Sequence, residues 1–153
     1  MTTRLADIVT AAPETIARAS LHLDTPGAGI VEFTREAAAF LDRANAGDGI
    51  LLAFLRHTSA SLTIQENADP DVQVDLMTAL ARLAPEHAGW VHAAEGPDDM
   101  PAHVKAMLTG VSLHVPVAGG RMMLGTWQGL YLVEHRRRPH GREIVLQFLG
   151  SKR

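Results

Sequence analysis

The spacing of apolar residues divides the chain into short segments with clear punctuation. Residues 17–23 alternate apolar and polar side chains, the two-residue period of a half-buried strand. Thr25-Pro26-Gly27-Ala28-Gly29 follows as a turn. Phe33, Ala37, Phe40, Leu41 and Ala44 then recur at helical spacing, with Thr34 placed to cap the helix and Gly47 and Gly49 to end it. Residues 49–55 form a continuous apolar run too short for a helix, which predicts a buried strand leading into His57. Residues 61–65 predict a second short strand. Asp69-Pro70 opens a helix, because the Asp side chain accepts free backbone N–H groups and proline at the first position loses no bond. That helix turns Val72, Leu76, Leu80 and Leu83 inward and stops at Pro85. Asp98-Asp99-Met100-Pro101 repeats the device and opens a short helix over residues 102–109, closed by Gly110. Beyond it, 111–117, 122–124, 128–135 and 143–149 have the look of strands between Gly-rich turns.

Strands and helices mixed early, then strands alone, predict an α+β fold: a largely antiparallel β-sheet sandwich with two to four helices. No repeat, low-complexity tract or linker divides the chain. Residues 1–153 therefore count as a single domain, with 1–12 as a loosely held arm.

Composition narrows the chemistry. The absence of cysteine excludes disulfides, thiolate catalysis and cysteine-ligated zinc. A formal charge of -3 gives no general pull toward nucleic acid or an anionic membrane. No apolar run approaches the roughly 18 residues of a membrane span. The N-terminal stretch has no apolar core of a secretory signal, so the expected setting is the cytoplasm. Eight histidines are the unusual count, and they direct the search for a site.

His57 ends an apolar strand. In extended geometry His57, Ser59 and Ser61 share a face and could cradle a phosphate oxygen; the plainer alternative is a hydrogen-bonded histidine beside two turn-capping serines. Asp98, Asp99, His103 and Lys105 form a second constellation. Four residues separate Asp99 from His103, so a carboxylate could fix the imidazole's tautomer for acid–base work, or the aspartates could merely cap the helix. Glu66 and Asn67 stand between a strand and a helix cap, where a loop can present them to a pocket. Trp127 and Gln128 lie between Gly125 and Gly129, which permit close approach of a ligand or another backbone; core or subunit-interface packing is the simpler role for Trp127, a base-stacking platform the other. His57, His92 and His103 would suit zinc if the fold brought them together, although their spacing matches no ligand motif. Magnesium arriving with a diphosphate would need only Asp98, Asp99 or Glu66. The basic run His135-Arg136-Arg137-Arg138 is most simply a solvated strand end, otherwise a rim that steers phosphate.

Three segments stop looking generic: HTSASLTIQENADP over 57–70, EGPDDMPAHVK over 95–105, and GTWQG over 125–129 with Glu134-His135 beyond. In this order they closely resemble the YjbQ family of small bacterial and archaeal proteins, from about Ala17 to the C-terminus. Gln65 departs from the expected Asn, and Ala93-Ala94 replace more polar residues after His92. The resemblance implies compact α+β subunits associated as homotrimers. It also implies a secondary thiamine-phosphate synthase activity, joining a pyrimidine methyl diphosphate to a thiazole phosphate with release of pyrophosphate. On that reading His57, His103, Asp99, Lys105 and Glu66 are catalytic. Ser59, Ser61, Asn67, Asp98, Trp127 and Gln128 bind substrate. The alternative is a protein that holds a small anion or a metal without that turnover. The partner in the first case is a phosphorylated small molecule, not nucleic acid or membrane.

Overall fold

The computed structural model describes Arg4 and residues 8–153. In chain order the elements are β1 (Thr15–Thr25), β2 (Gly29–Glu32), α1 (Thr34–Arg43), β3 (Ala46–Leu55), β4 (Ala60–Glu66), α2 (Pro70–Leu83), α3 (Asp99–Thr109), β5 (Ser112–Ala118), β6 (Arg121–Met122), β7 (Gln128–Glu134) and β8 (His140–Lys152). The strands form two antiparallel sheets, β1-β8-β3-β5-β6 and β2-β7-β4. The fold is α+β, with three helices among the described residues. Of the arm expected over 1–12, residues 1–3 and 5–7 lie outside the described residues, and 8–12 are exposed and irregular. No helix among the described residues is long and apolar enough to cross a membrane.

Alternation along each strand builds the core. Leu51, Ala53 and Leu55 of β3, Val115 and Val117 of β5, and Ile144, Leu146 and Phe148 of β8 face Ala60, Leu62, Leu130 and Leu132 of the smaller sheet. Phe33, Ala37, Phe40 and Leu41 close one side. The central strand β7 is buried along nearly its whole length. Its Leu130, Leu132 and Glu134 share the core face with Ala60 and Leu62, while Tyr131 and Val133 turn to the opposite face with Ser61 and Thr63. On that outer face α3 covers β4, and α2 leans on α3.

Several boundaries differ from expectation for identifiable reasons. Thr34 does not cap α1; its hydroxyl accepts the Leu130 N–H at 2.8 Å and donates to Glu32, so it ties the helix to β7. The helix ends at Arg43, and Asn45 just beyond takes a φ of 51°, the left-handed conformation that Asn tolerates, so Gly47 and Gly49 belong to β3. Gly49 and Gly150 are paired across β3 and β8 beside a bulge, where a Cβ on either would strike the other strand. Asp69 does cap α2, accepting Asp71 N–H at 2.9 Å. Yet α2 has no buried residue, and Leu83 is 67% exposed rather than turned into a core. α3 starts at Asp99 and ends at Gly110, which takes the positive φ of 90° that glycine allows.

Candidate metal centre and adjoining cleft

The first turn of α3 assembles a cluster of titratable groups. Asp99 opens the helix with its carboxylate almost fully buried. Pro101 fits in this turn because its missing N–H would have no partner within the helix. One turn on, His103 Nε2 lies 3.3 Å from Asp99 Oδ2. His92, from the irregular segment before the helix, brings its Nε2 to 2.7 Å from the same oxygen. The two imidazole centroids are 5.6 Å apart. One ligand atom from each of His92, Asp99 and His103 lies within 4.8 Å of the other two.

The surroundings orient this set. His103 Nδ1 is 3.0 Å from the Thr58 carbonyl, which can only accept, so Nδ1 carries the proton and the neutral ring presents its lone pair at Nε2. Arg136 binds Asp99 Oδ1 through Nη1 and leaves Oδ2 to the two histidines. The same guanidinium donates to Asp98 Oδ2 at 3.1 Å and to the Glu95 carbonyl at 2.7 Å. Burial pushes the Asp98 carboxyl up, but the Arg137 N–H and the Arg136 side chain outweigh it and hold it below its ordinary value. Two imidazoles and a carboxylate, with His103 fixed by the Thr58 carbonyl and Asp99 by Arg136, match the three-ligand pattern of an open divalent transition-metal site.

His57 is not part of this trio. Its Nε2 accepts the Glu143 N–H at 2.9 Å, so the neutral ring carries its proton on Nδ1. Burial, with Arg142 nearby, lowers its pKa and keeps it neutral. His57 and His103 nevertheless border one open cleft of 560 Å³, with Phe54, Met107 and Val111 among its apolar walls and Arg56 at its edge.

A family model described as "UPF0047 protein YjbQ-like" matches residues 19–151. A UPF0047 protein from Synechocystis is 47% identical over 132 residues, covering 86% of this chain and 90% of its own length. The chain belongs to the UPF0047, YjbQ-like family. Solved structures with this fold include a conserved hypothetical protein from Thermus thermophilus, 40% identical with a TM-score of 0.74, covering 83% of this chain and 97% of its own. A hypothetical protein from Aeropyrum pernix is 26% identical with a TM-score of 0.82, covering 88% and 99%.

In this UPF0047 chain the other residues singled out above are dispersed. Ser59 and Ser61 do not share a partner with His57. Ser59 Oγ accepts from Arg142 at 3.1 Å, whereas buried Ser61 bonds His135 Nε2 at 2.9 Å. Regular strand geometry begins only at Ala60, so the alternation does not extend back to His57. Lys105 is partly buried beside Glu86, Asp98 and Arg137, and burial lowers its pKa despite those carboxylates. Glu66, Asn67, Trp127 and Gln128 gather at the far end of β4 and β7. Gln128 is exposed, and its Oε1 accepts the Gly125 N–H at 2.8 Å. It lines a separate cavity of 520 Å³ with Thr34 and Arg121.

Sequence reasoning passed over Thr58 and took His135 and Arg136 for a solvated strand end, whereas the fold buries His135 and sets the Arg136 guanidinium against Asp98 and Asp99. The available signal was the pair Asp98-Asp99, since two adjacent carboxylates entering a helix need a cation from elsewhere. His135 is buried, Ser61 takes its Nε2, and its Nδ1 has no partner; burial and nearby Lys105 lower its pKa to about 4.

Proposed function

We propose that this protein holds a divalent metal ion on His92, Asp99 and His103 and acts on a phosphorylated small molecule bound beside it. The carrying observation is the convergence of those three ligand atoms within 4.8 Å, with Thr58 and Arg136 orienting two of them. A bound divalent ion would neutralise charge on a phosphate leaving group. The chain's own residues supply the rest. Neutral His57 offers a hydrogen-bond donor at the cleft, and Arg56 at its edge supplies a cation to a phosphate oxygen. The reaction proposed is the one the family resemblance implies. The pyrimidine methylene–oxygen bond breaks, pyrophosphate leaves with the electron pair, and the thiazole nitrogen forms the new bond to that carbon.

The test has two arms. Elemental analysis of protein purified without chelator is expected to find close to one transition metal per chain, lost in His92→Ala and His103→Ala. Pyrophosphate release from the pyrimidine diphosphate with the thiazole partner is expected in wild type and not in Asp99→Asn. No metal uptake would overturn the site. Metal without product would leave a metal-binding protein lacking that turnover. We also propose that the chain self-associates, as a homotrimer on the family resemblance. Its support is α2, which has no buried residue and leaves Val74 and Leu83 open to solvent. Light scattering of the eluted protein reads the subunit number directly.

A further inference from the structure

The residues gathered by the HTSASLTIQENADP and GTWQG segments fall at opposite ends of the β4–β7 pair. His57 and Thr58 precede β4, next to His103. Glu66, Asn67 and Trp127 lie at its other end. The six steps of β4 between Ala60 and Glu66 put about 20 Å between the two groups in one chain. The far end is a formed structure. Gln128 N–H donates to the Gly125 carbonyl at 2.9 Å, and Asn67 N–H donates to the Trp127 carbonyl at 3.1 Å. This turn holds Trp127 with 65% of its surface in water. A fixed, exposed indole is the kind of side chain that anchors protein interfaces, burying about 150–250 Å² when it docks.

The near end offers a complementary surface. The cleft beside His57 and His103 is open and mostly apolar, with Phe54 48% and Met107 79% exposed on its walls. Its one permanently charged lining residue is Arg56, which is paired with Glu143 at 3.2 Å. The Trp127 turn is flanked instead by acids: Glu66 pairs with Gln128 in register, and Asp69 follows Asn67. A fixed aromatic knob near Glu66 and Asp69 and an open apolar cleft edged by Arg56 stand on different parts of one surface. Such a pair makes a head-to-tail contact, which closes into a ring when the rotation allows.

We propose that Trp127 of one copy seats in the His57–His103 cleft of the next, so that each site is completed by Trp127, with Glu66 and Asn67 behind it, from a neighbouring subunit. The indole covers the apolar wall and shields the two imidazoles from water. This explains how segments that share no pocket within one chain could serve one site. The inference deepens the self-association reading and rests on it, but it is independent of the metal.

The decisive experiment uses two surface variants of the full chain, Trp127→Ala and Met107→Glu, with mass measured by sedimentation. Wild type is expected to be an oligomer. Each variant alone is expected to dissociate at least about 30-fold more readily, the scale of a single interface hot spot. A one-to-one mixture is expected to yield heterodimers. In it the intact Trp127 of the Met107→Glu chain meets the intact cleft of the Trp127→Ala chain. Circular dichroism of each variant shows that the subunit is still folded. A monomeric wild type would overturn self-association and this inference together. An oligomeric wild type whose mass neither substitution changes, or variants that dissociate alone and stay monomeric when mixed, would overturn this inference only. Metal content does not enter the readout.

Discussion

Two buried carboxylates, Glu134 and Asp99, sit on either side of Arg136 and have opposite characters. Glu134 has no exposed surface and four hydrogen bonds: Arg142 gives two at 2.6 and 2.7 Å, Thr25 one at 2.8 Å, and the Arg136 N–H one at 2.9 Å. Burial pushes its pKa up, but the Arg142 side chain, the Arg136 N–H and the Thr25 hydroxyl together hold it below its ordinary value. Asp99 is equally buried, but its Oδ2 is met by two imidazoles whose other sides reach solvent. A guanidinium cannot give up its charge or bind a metal; an imidazole does both. The contrast separates a carboxylate that holds the fold from one that can change partners.

The largest expected effect breaks the first of these. Glu134→Gln leaves the Arg142 guanidinium buried without its counter-charge, and the cost of removing one partner from such a pair is about 3–5 kcal/mol. Denaturant melts read it. Arg142→Met in the same chain should recover a good part of the loss, since both charges are then gone. Asp99→Asn should cost clearly less, because Arg136 keeps Asp98 and the Glu95 carbonyl. Equal losses at Glu134 and Asp99 would erase the distinction.

Next in size is a pH effect from His135, which faces Lys105 of α3, Arg142 of β8 and its neighbour Glu134. Its folded pKa is about 4 and its unfolded value 6.5. Between those values the unfolded chain takes up a proton that the folded chain refuses, so stability falls as the solution is acidified through this window. It is fully present above pH 6.5. The loss from this group is about 3 kcal/mol. Glu134 and Asp98, whose folded pKa values are lowered, add their loss at more acidic pH, below the ordinary carboxylate value. Melts of His135→Phe across pH 7 to 3 should lose most of the upper limb, leaving the part that the lowered pKa of His57 contributes, and keep the lower one. A wild-type profile that is flat over the upper limb would contradict the burial assigned to this ring.

A metal titration sharpens the other side of the comparison. Zinc at about 100 times its dissociation constant should raise wild-type stability by about 2.7 kcal/mol. Asp99→Asn and His103→Ala should show little of that gain. Glu134→Gln, wherever it remains folded, should keep it, because its carboxylate offers nothing to the trio.

What the sequence could reveal followed the range of the interactions. The Asp69-Pro70 start, the Gly110 stop and the alternating strands depend on neighbours within a few residues, and they are legible. Thr34 misleads because its partner is Leu130, on β7. Arg136 looks like one of several solvated arginines until the fold brings Asp98 and Asp99 to it from 38 and 37 positions away. The i,i+4 relation of Asp99 and His103 is visible in the string, whereas the arrival of His92 from an irregular segment is not. Apolar periodicity marked a face of α2 correctly as a pattern, but it says nothing about what covers that face.

The smallest effect tests α2 as a region outside both networks. Asp69→Ala removes the side chain that accepts the Asp71 N–H at 2.9 Å, and loss of such a cap costs about 1 kcal/mol. With no buried residue on α2, the cost should remain local, appearing as faster hydrogen exchange in the first turn. Zinc affinity should be unchanged, because α2 packs on α3 and supplies none of the three ligands. A shift in zinc affinity larger than threefold would mean that the two helices move as one body. The Asp99 trio would then depend on a helix that the single chain leaves largely uncovered.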